Sequence, residues 1–437
     1  MRTPGFVFPA QGVAGVFLLF LIPAATVAAQ APVAGPDEQW ITIGADAFDA
    51  LNRPPAFSYG ARPLRKTAQR EGVVLTRVRG SDLSAISQRV HTVLGRCAGF
   101  MAHPNFEDAS RVVEAVGAPR AQRLGSAYVI DQPALVMALQ AQLSTAPIVA
   151  TIGHLSEDFA NRYYAHADGA AAAQWIYSLW EGYATGRPDV TVELFDHPWL
   201  QSSVILTIDG SLYPDEVVVL GGHLDSITPS NGSSLAPGAD DDASGIATLS
   251  EVLRAAMALG FQPERTVKFM GYSAEEVGLD GSQEIAAAYQ SAAIDVVAVL
   301  QLDMTAYNGS TEDVLLISDY TDTALTDFLG ALLDTYQPEL AWSTTACGYA
   351  CSDHASWNFR GFPASFAFES RFGQHNPEIH TTDDVLATFG SSADHAIKFA
   401  RLATAFMVEV AMVTPPGWLF GDGFESGSTS AWSQTLP

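Results

Sequence analysis

From about Ile148 onward the chain alternates short apolar runs with longer amphipathic ones, a pattern that few architectures satisfy. Residues 217–220, 266–270, 296–302, 314–317 and 365–368 are runs of four to seven residues dominated by Val, Ile, Leu and Phe, as expected of buried strands. Residues 243–259, 282–290, 323–336 and 394–413 carry the three-to-four-residue apolar spacing of helices. Strands alternating with helices predict an α/β fold with a largely parallel central sheet. In such folds chemistry gathers at the carboxyl ends of the strands.

Histidines and carboxylates stand at those ends. The first run passes through Gly221-Gly222 into His223-Leu224-Asp225, and a carboxylate two residues from a histidine can fix the ring nitrogen that does not bind a metal. Next comes Gly238-Ala239-Asp240-Asp241-Asp242-Ala243-Ser244-Gly245, opening a helix. A helix cap needs one of its three adjacent carboxylates, and a bound dication would account for the others. Run 266–270 leads into Ala274-Glu275-Glu276-Val277-Gly278, where two buried glutamates are costly unless one is a ligand and the other carries or shares a proton. Leu302-Asp303-Met304 ends an apolar strand on a carboxylate, and Ile379-His380-Thr381-Thr382 supplies a second histidine from a loop.

In order and spacing, across about residues 148–413, these segments resemble the secreted bacterial leucyl aminopeptidases, zinc exopeptidases with two co-catalytic metals. Cys347-Gly348-Tyr349-Ala350-Cys351-Ser352-Asp353-His354 shares the likeness. The resemblance implies a mixed, mostly parallel sheet flanked by helices, the zinc-dependent exopeptidase fold. It implies that His223 and Glu276 hold one zinc, Asp303 and His380 the other, and that Asp241 bridges the two. Asp225 would orient His223, Glu275 would be the general acid/base toward a metal-activated water, and Tyr349 would donate a hydrogen bond to the developing oxyanion. Met304, Ile317, Phe366, Phe368, Phe372 and Ile379 align with the family's apolar side-chain pocket, which implies Leu-like or aromatic N-terminal residues of peptides or proteins as substrate.

The chemistry agrees with this assignment: one imidazole and two carboxylates per zinc leave room for water and substrate, as a catalytic site requires. Two relatives in chemistry compete. A glutaminyl cyclase of the same fold uses one zinc, and five candidate ligands favour two; a non-catalytic receptor-type domain would not need Glu275. The chain has no Gly-x-Ser-x-Gly elbow and no His-Glu-x-x-His motif, which argues against a serine hydrolase and the commonest metalloendoproteases.

The remaining readings concern export and organisation. Residues 12–22 are an uncharged apolar run between Arg2 and the small-residue stretch 24–29, the layout of a signal peptide (1–29), and the run is shorter than the ~20 residues of a membrane span. A secreted protein without stable membrane association is expected. In that setting Cys347 and Cys351 favour a small disulfide loop over zinc thiolate ligation, leaving Cys97 unpaired. Residues 31–140 carry eleven Arg and one Lys against ten acids, while the 437-residue chain has a net charge of −26. So acidic a chain argues against nucleic-acid binding. The contrast predicts a removable, propeptide-like segment (30–146) docked electrostatically on a monomeric catalytic domain (147–414), with a tail at 415–437. Within the front segment 83–94 and 133–143 read as helices, and nothing there resembles a catalytic constellation.

Overall fold

The computed structural model describes residues 38–53, 63–96, 99–116, 128–228 and 235–412, all within one compact unit. The expected leader (1–29), Cys97 and the tail (415–437) lie outside the described residues. The front segment forms β1 (Glu38–Gly44), α1 (Ala45–Leu51), β2 (Lys66–Arg70), β3 (Val73–Arg79), α2 (Leu83–Leu94), β4 (Phe100–His103) and α3 (Phe106–Ala115). The main body begins with α4 (Pro133–Gln140), α5 (Thr145–Gly153), α6 (Ala167–Tyr183), β5 (Val190–Phe195), β6 (Ser203–Ile208), β7 (Tyr213–His223) and α7 (Ala243–Leu259). It continues with β8 (Arg265–Tyr272), α8 (Asp280–Ser291), β9 (Asp295–Leu302), β10 (Val314–Ile317), α9 (Thr323–Tyr336), β11 (Trp342–Thr345), α10 (His354–Phe359), β12 (Ala364–Phe368) and α11 (Ala396–Ala411).

All five expected strands are present in an eight-stranded mixed sheet of order β11-β10-β12-β9-β7-β8-β6-β5. Its centre, β12-β9-β7-β8, is parallel, whereas β6 runs antiparallel to β8 and β10 to β12. The side chains of β7 show why the run is continuously apolar. Val217 and Val219 pack with Ile285 of α8 and Trp357 of α10, while Val218 and Leu220 face Ile246 of α7 and Phe406 of α11. Helices cover both faces, so no position can be polar. Three strands of the sheet are not among those expected: β5 and β11 are only partly buried and include polar residues, whereas β6 (Ser203–Ile208) is buried throughout but carries Ser203 and Thr207 among its apolar residues.

The front segment is a four-stranded antiparallel sheet, order β2-β3-β1-β4, with its own small core including Ile41, Val74, Phe100 and Val90. It docks on the rim of the main body. The N–H of Ala102 donates to the carbonyl of Gly278 (3.1 Å), and Ser87 Oγ donates to the carbonyl of Glu276 (2.7 Å). Gly278 has φ of +126°, and a Cβ there would sit 2.9 Å from that of Ala102, so the approach needs glycine.

Docking by charge was expected, but the contacts are chiefly apolar. Met101 and Val112 bury themselves against Leu279, Ala350 and Ala355, and each such side chain contributes about 1.5–3 kcal/mol. The ion pair Arg360–Asp108 (3.7 Å) crosses the boundary with the acid on the front segment, the reverse of the expected polarity. A largely buried pair of this kind roughly offsets its own desolvation.

Packing also moves the expected boundary at 146. Val136 and Leu139 of α4 are fully buried in the main core. Glu409 of α11 accepts the backbone N–H groups of Asp131 (2.9 Å) and Gln132 (3.1 Å), and Tyr128 donates to the carbonyl of Val297 (3.1 Å). The main body therefore includes residues from Tyr128 on. No single helix among the described residues is long and apolar enough to cross a membrane.

Candidate metal centre

β7 ends at His223, and its lateral register with β9 pairs Gly221 with Gln301, which carries His223 alongside Asp303 two residues further on. Gly222 permits the closeness: a Cβ there would meet the carbonyl oxygen of Leu302 at 2.8 Å and Asp242 Oδ2 at 2.9 Å. His223 Nε2 lies 3.6 Å from Asp303 Oδ1 and 2.9 Å from Asp241 Oδ1. Asp241 Oδ2 lies 2.7 Å from His380 Nε2, which is in turn 3.3 Å from Glu276 Oε2. All five expected ligands thus converge, with Asp241 spanning the centre. Their grouping differs from the expected one: His223 goes with Asp303, and His380 with Glu276. Strand register decides this, because β9 places Asp303 beside β7, whereas Glu276 stands four residues beyond the end of β8 in a loop that reaches toward His380.

The three aspartates of the turn divide their work. Asp242 caps α7, accepting from Gly245 N (2.9 Å), and also accepts from His223 N (2.9 Å) and Met304 N (3.1 Å). Asp240 accepts from Ala306 N (3.1 Å) and points away from the centre toward Glu369. Its pKa is pushed up to about 6 by burial. Only Asp241 faces both histidines. The backbone N–H groups of Asp240 and Asp241 donate to Asp384 at 3.0 and 3.1 Å, which fixes the turn.

Asp225 does more than the expected positioning of His223. Its carboxylate accepts from Glu275 N (3.0 Å) and Glu276 N (3.2 Å), while His223 Nδ1 lies 3.1 Å from its backbone oxygen and 3.5 Å from Oδ1. One residue therefore orients the ring and shapes the glutamate loop. Ala274 (φ 57°), Met304 (φ 61°) and His380 (φ 59°) all adopt left-handed backbone conformations, uncommon for non-glycine residues and concentrated here on the loops bearing the site.

The electrostatics call for a cation. His223, Asp241, Glu276, Asp303, His380 and Glu275 are all buried. Glu276 Oε1 and Asp303 Oδ1 have no hydrogen-bond partner, and His380 Nε2 has only the carboxylates of Asp241 (2.7 Å) and Glu276 (3.3 Å) beside it. The nearby guanidinium of Arg162 is spent on the carbonyls of Leu155, Leu224, Pro237 and Gly238. Two imidazoles and three carboxylates with unsatisfied atoms turned inward are a fitting donor set for zinc.

Burial works against a charged His380, but Glu276 and Asp241 together hold its pKa at about 10. Burial pushes Glu276 up to about 7. Burial would also raise Asp241, but the imidazoles of His380 and His223 hold it well below the carboxylate range. A ring that is charged at neutral pH must shed its proton to bind metal, so raising the pH removes a competitor. We expect zinc affinity of the metal-free chain, measured by chelator competition, to climb between about pH 6 and 9 by up to about tenfold per unit for each proton released. A flat profile would contradict this reading.

Cys347 and Cys351 form the expected disulfide, which excludes zinc ligation by these thiolates. Beside Asp303 lies an apolar pocket walled by Met304, Phe366, Phe368, Phe372, Ile379, Tyr349 and the disulfide. Ile317 of β10 is fully buried in the same apolar cluster as these residues but is not among those that line the pocket.

Three participants were not read from the sequence. Arg162 and Asp384 are single residues in loops, with no local signal. The third is His91 of α2, whose ring stacks on that of His380 (centroids 3.6 Å apart, 13° between planes). The front segment, expected to hold nothing of catalytic character, thus reaches the centre.

Imidazoles and carboxylates converging at the ends of parallel strands, next to an apolar pocket, define a metallohydrolase of α/β architecture. The chain belongs to peptidase family M28, whose sequence pattern matches residues 203–407. It is 37% identical over 286 residues to a probable leucine aminopeptidase of Arthroderma otae, spanning 64% of this chain and 78% of that one. To leucine aminopeptidase 1 of Aspergillus clavatus it is 40% identical over 291 residues, 63% of this chain and 74% of that one. The LapA aminopeptidase of Legionella pneumophila matches with a TM-score of 0.73 and 27% identity, over 87% of this chain and all of that one. The protein is accordingly a peptide-bond hydrolase, a metallo-aminopeptidase that is zinc-dependent by family.

Proposed function

We propose that this chain is an exported, monomeric aminopeptidase that removes Leu and other large apolar residues from peptide and protein N-termini with two zinc ions. The observation that carries the two-ion reading is the position of Asp241, one carboxylate oxygen on each histidine, with a further carboxylate beside each ring. His223, Asp303 and Asp241 would hold one ion and His380, Glu276 and Asp241 the other. When bound, zinc supplies Lewis-acid polarisation of the scissile carbonyl and activation of water.

The protein's own groups do the rest. Glu275 is buried, and burial, with the charges of Glu276, Asp353 and Asp303, holds its pKa well above the usual range against the pull of His223. A carboxylate so placed takes a proton from the attacking water and passes it to the leaving amine. Asp225 keeps it in place through its backbone N–H. The apolar pocket receives the substrate's first side chain and selects for bulk without charge. The surrounding carboxylates favour a free, cationic amino terminus, and Tyr349, on the pocket wall, would donate a hydrogen bond to the developing oxyanion.

The leader would direct export, and the segment from about residue 30 to the start of the main body would act as a propeptide, since α2 lies over the candidate centre. The test is hydrolysis of a leucyl anilide by the full chain during limited proteolysis. Activity should start low and rise as the front segment is lost, and should vanish with chelator. Equal activity before and after removal would sink the propeptide reading.

A further inference from the structure

We propose that His375 sets selectivity within the apolar pocket: its Nε2–H takes a hydrogen-bond acceptor carried by the substrate's first side chain, so that N-terminal Tyr is preferred to residues of the same size that lack one. The inference rests on the aminopeptidase reading above and deepens it to the order among aromatic first residues. His375 belongs to the pocket wall, and its ring leans on two other wall residues, with centroids 5.3 Å from Phe372 and 5.8 Å from Phe368. Among the described main-body residues that line the pocket, only Asp303, Tyr349 and His375 carry a side-chain nitrogen or oxygen. Asp303 is a candidate metal ligand and Tyr349 is assigned to the oxyanion, which leaves the imidazole as the polar group of the wall with no use in the chemistry.

The loop that holds the ring decides which nitrogen bears its proton. Gly373, with φ of +90°, turns the chain so that its N–H donates to His375 Nδ1 (3.2 Å). The N–H of the next residue, Asn376, donates to Glu369 Oε1 (3.0 Å), which pins the loop from the other side. Burial lowers the pKa of His375 against the opposing pull of a hydrogen bond with the backbone of Gly95, so the ring is neutral at neutral pH. With Nδ1 accepting, the proton sits on Nε2. In the full chain the partner of that N–H is the carbonyl of Gly95, in the front segment. The following residue, Arg96, also lines the pocket, its guanidinium 4.3 Å over the ring of Tyr349 and paired with Asp46 (2.8 Å). The segment lying against the pocket in the full chain thus brings an acceptor to the imidazole. When that segment leaves, the donor is left to the occupant that follows. A wholly apolar side chain strips water from it and gives nothing back, whereas a phenolic oxygen replaces the lost carbonyl.

The test measures kcat/KM of the zinc-loaded chain, activated by limited proteolysis, on tyrosyl and para-methylphenylalanyl anilides, which match in size and differ by the oxygen. The unaltered protein should favour the tyrosyl substrate by about tenfold. In His375→Phe, which keeps a ring on the wall and removes both nitrogens, the ratio should fall to about unity. Both substrates are measured on one preparation, so the ratio does not depend on the fraction of the variant that folds, and the ratio of the unaltered protein needs no variant. A ratio near unity in the unaltered protein, or an undiminished ratio in His375→Phe, would overturn the inference while leaving the aminopeptidase reading intact. Hydrolysis of neither anilide, or hydrolysis that persists in chelator, would instead overturn the reading on which it rests.

Discussion

Glu275→Gln is expected to retain bound zinc and to lose turnover by about 10²–10⁴-fold, the range over which a positioned general acid/base contributes. The side chain lies near the ligands without being one of the five that converge, so removing its charge leaves the donor set complete. The loop around it is held by Asp225 through the backbone N–H of residue 275, a contact the substitution does not touch. The amide has the same size but cannot accept and return a proton, so the loss should fall on kcat more than on KM. Metal content and leucyl anilide kinetics, measured on the same preparation, check this. Wild-type turnover in Glu275→Gln would show that another group moves the proton.

Asp241→Ala should produce the opposite pattern, loss of metal first and activity as a consequence. Asp241 spans 2.9 Å to His223 Nε2 and 2.7 Å to His380 Nε2 through different oxygens. Without it, His223 is left with Asp303 and His380 with Glu276, two main-body ligands each, fewer than the three of a catalytic zinc site. The drop in affinity should exceed the about 10–100-fold that disturbing a ligand's outer partners costs, and dialysed protein should carry almost no zinc. Retention of two tightly bound ions by Asp241→Ala would contradict the bridging role. Together the two variants separate a group that holds the metal from one that moves the proton.

The legible and illegible parts of this protein divide along a physical line. Strands such as 314–317 and helices such as 323–336 are readable because both faces or one full stripe are buried, which imprints continuous or periodic apolar residues. The candidate ligands are readable for a related reason: Asp303 and Glu276 follow apolar strands where a carboxylate has no structural use. How those ligands group is not readable locally, because it depends on which strands lie side by side, and β9 joins β7 only through tertiary structure. The front sheet is obscured by strands such as β2, whose Lys-Thr-Ala-Gln-Arg is wholly exposed. Nor does the sequence distinguish His91 from any other polar residue on an amphipathic helix. Its meaning comes from His380, 289 positions away in the chain and 3.6 Å away in the ring stack.

The central claim is that this chain removes single residues from peptide N-termini by metal-dependent hydrolysis. Digestion of a peptide library by the processed protein, with and without chelator, read by mass spectrometry, tests it most directly. The account predicts stepwise loss of one N-terminal residue at a time, fastest for Leu and other large apolar residues, and no cleavage once metal is removed. Internal cleavage, cyclisation of N-terminal Gln without hydrolysis, or trimming that persists in chelator would contradict it.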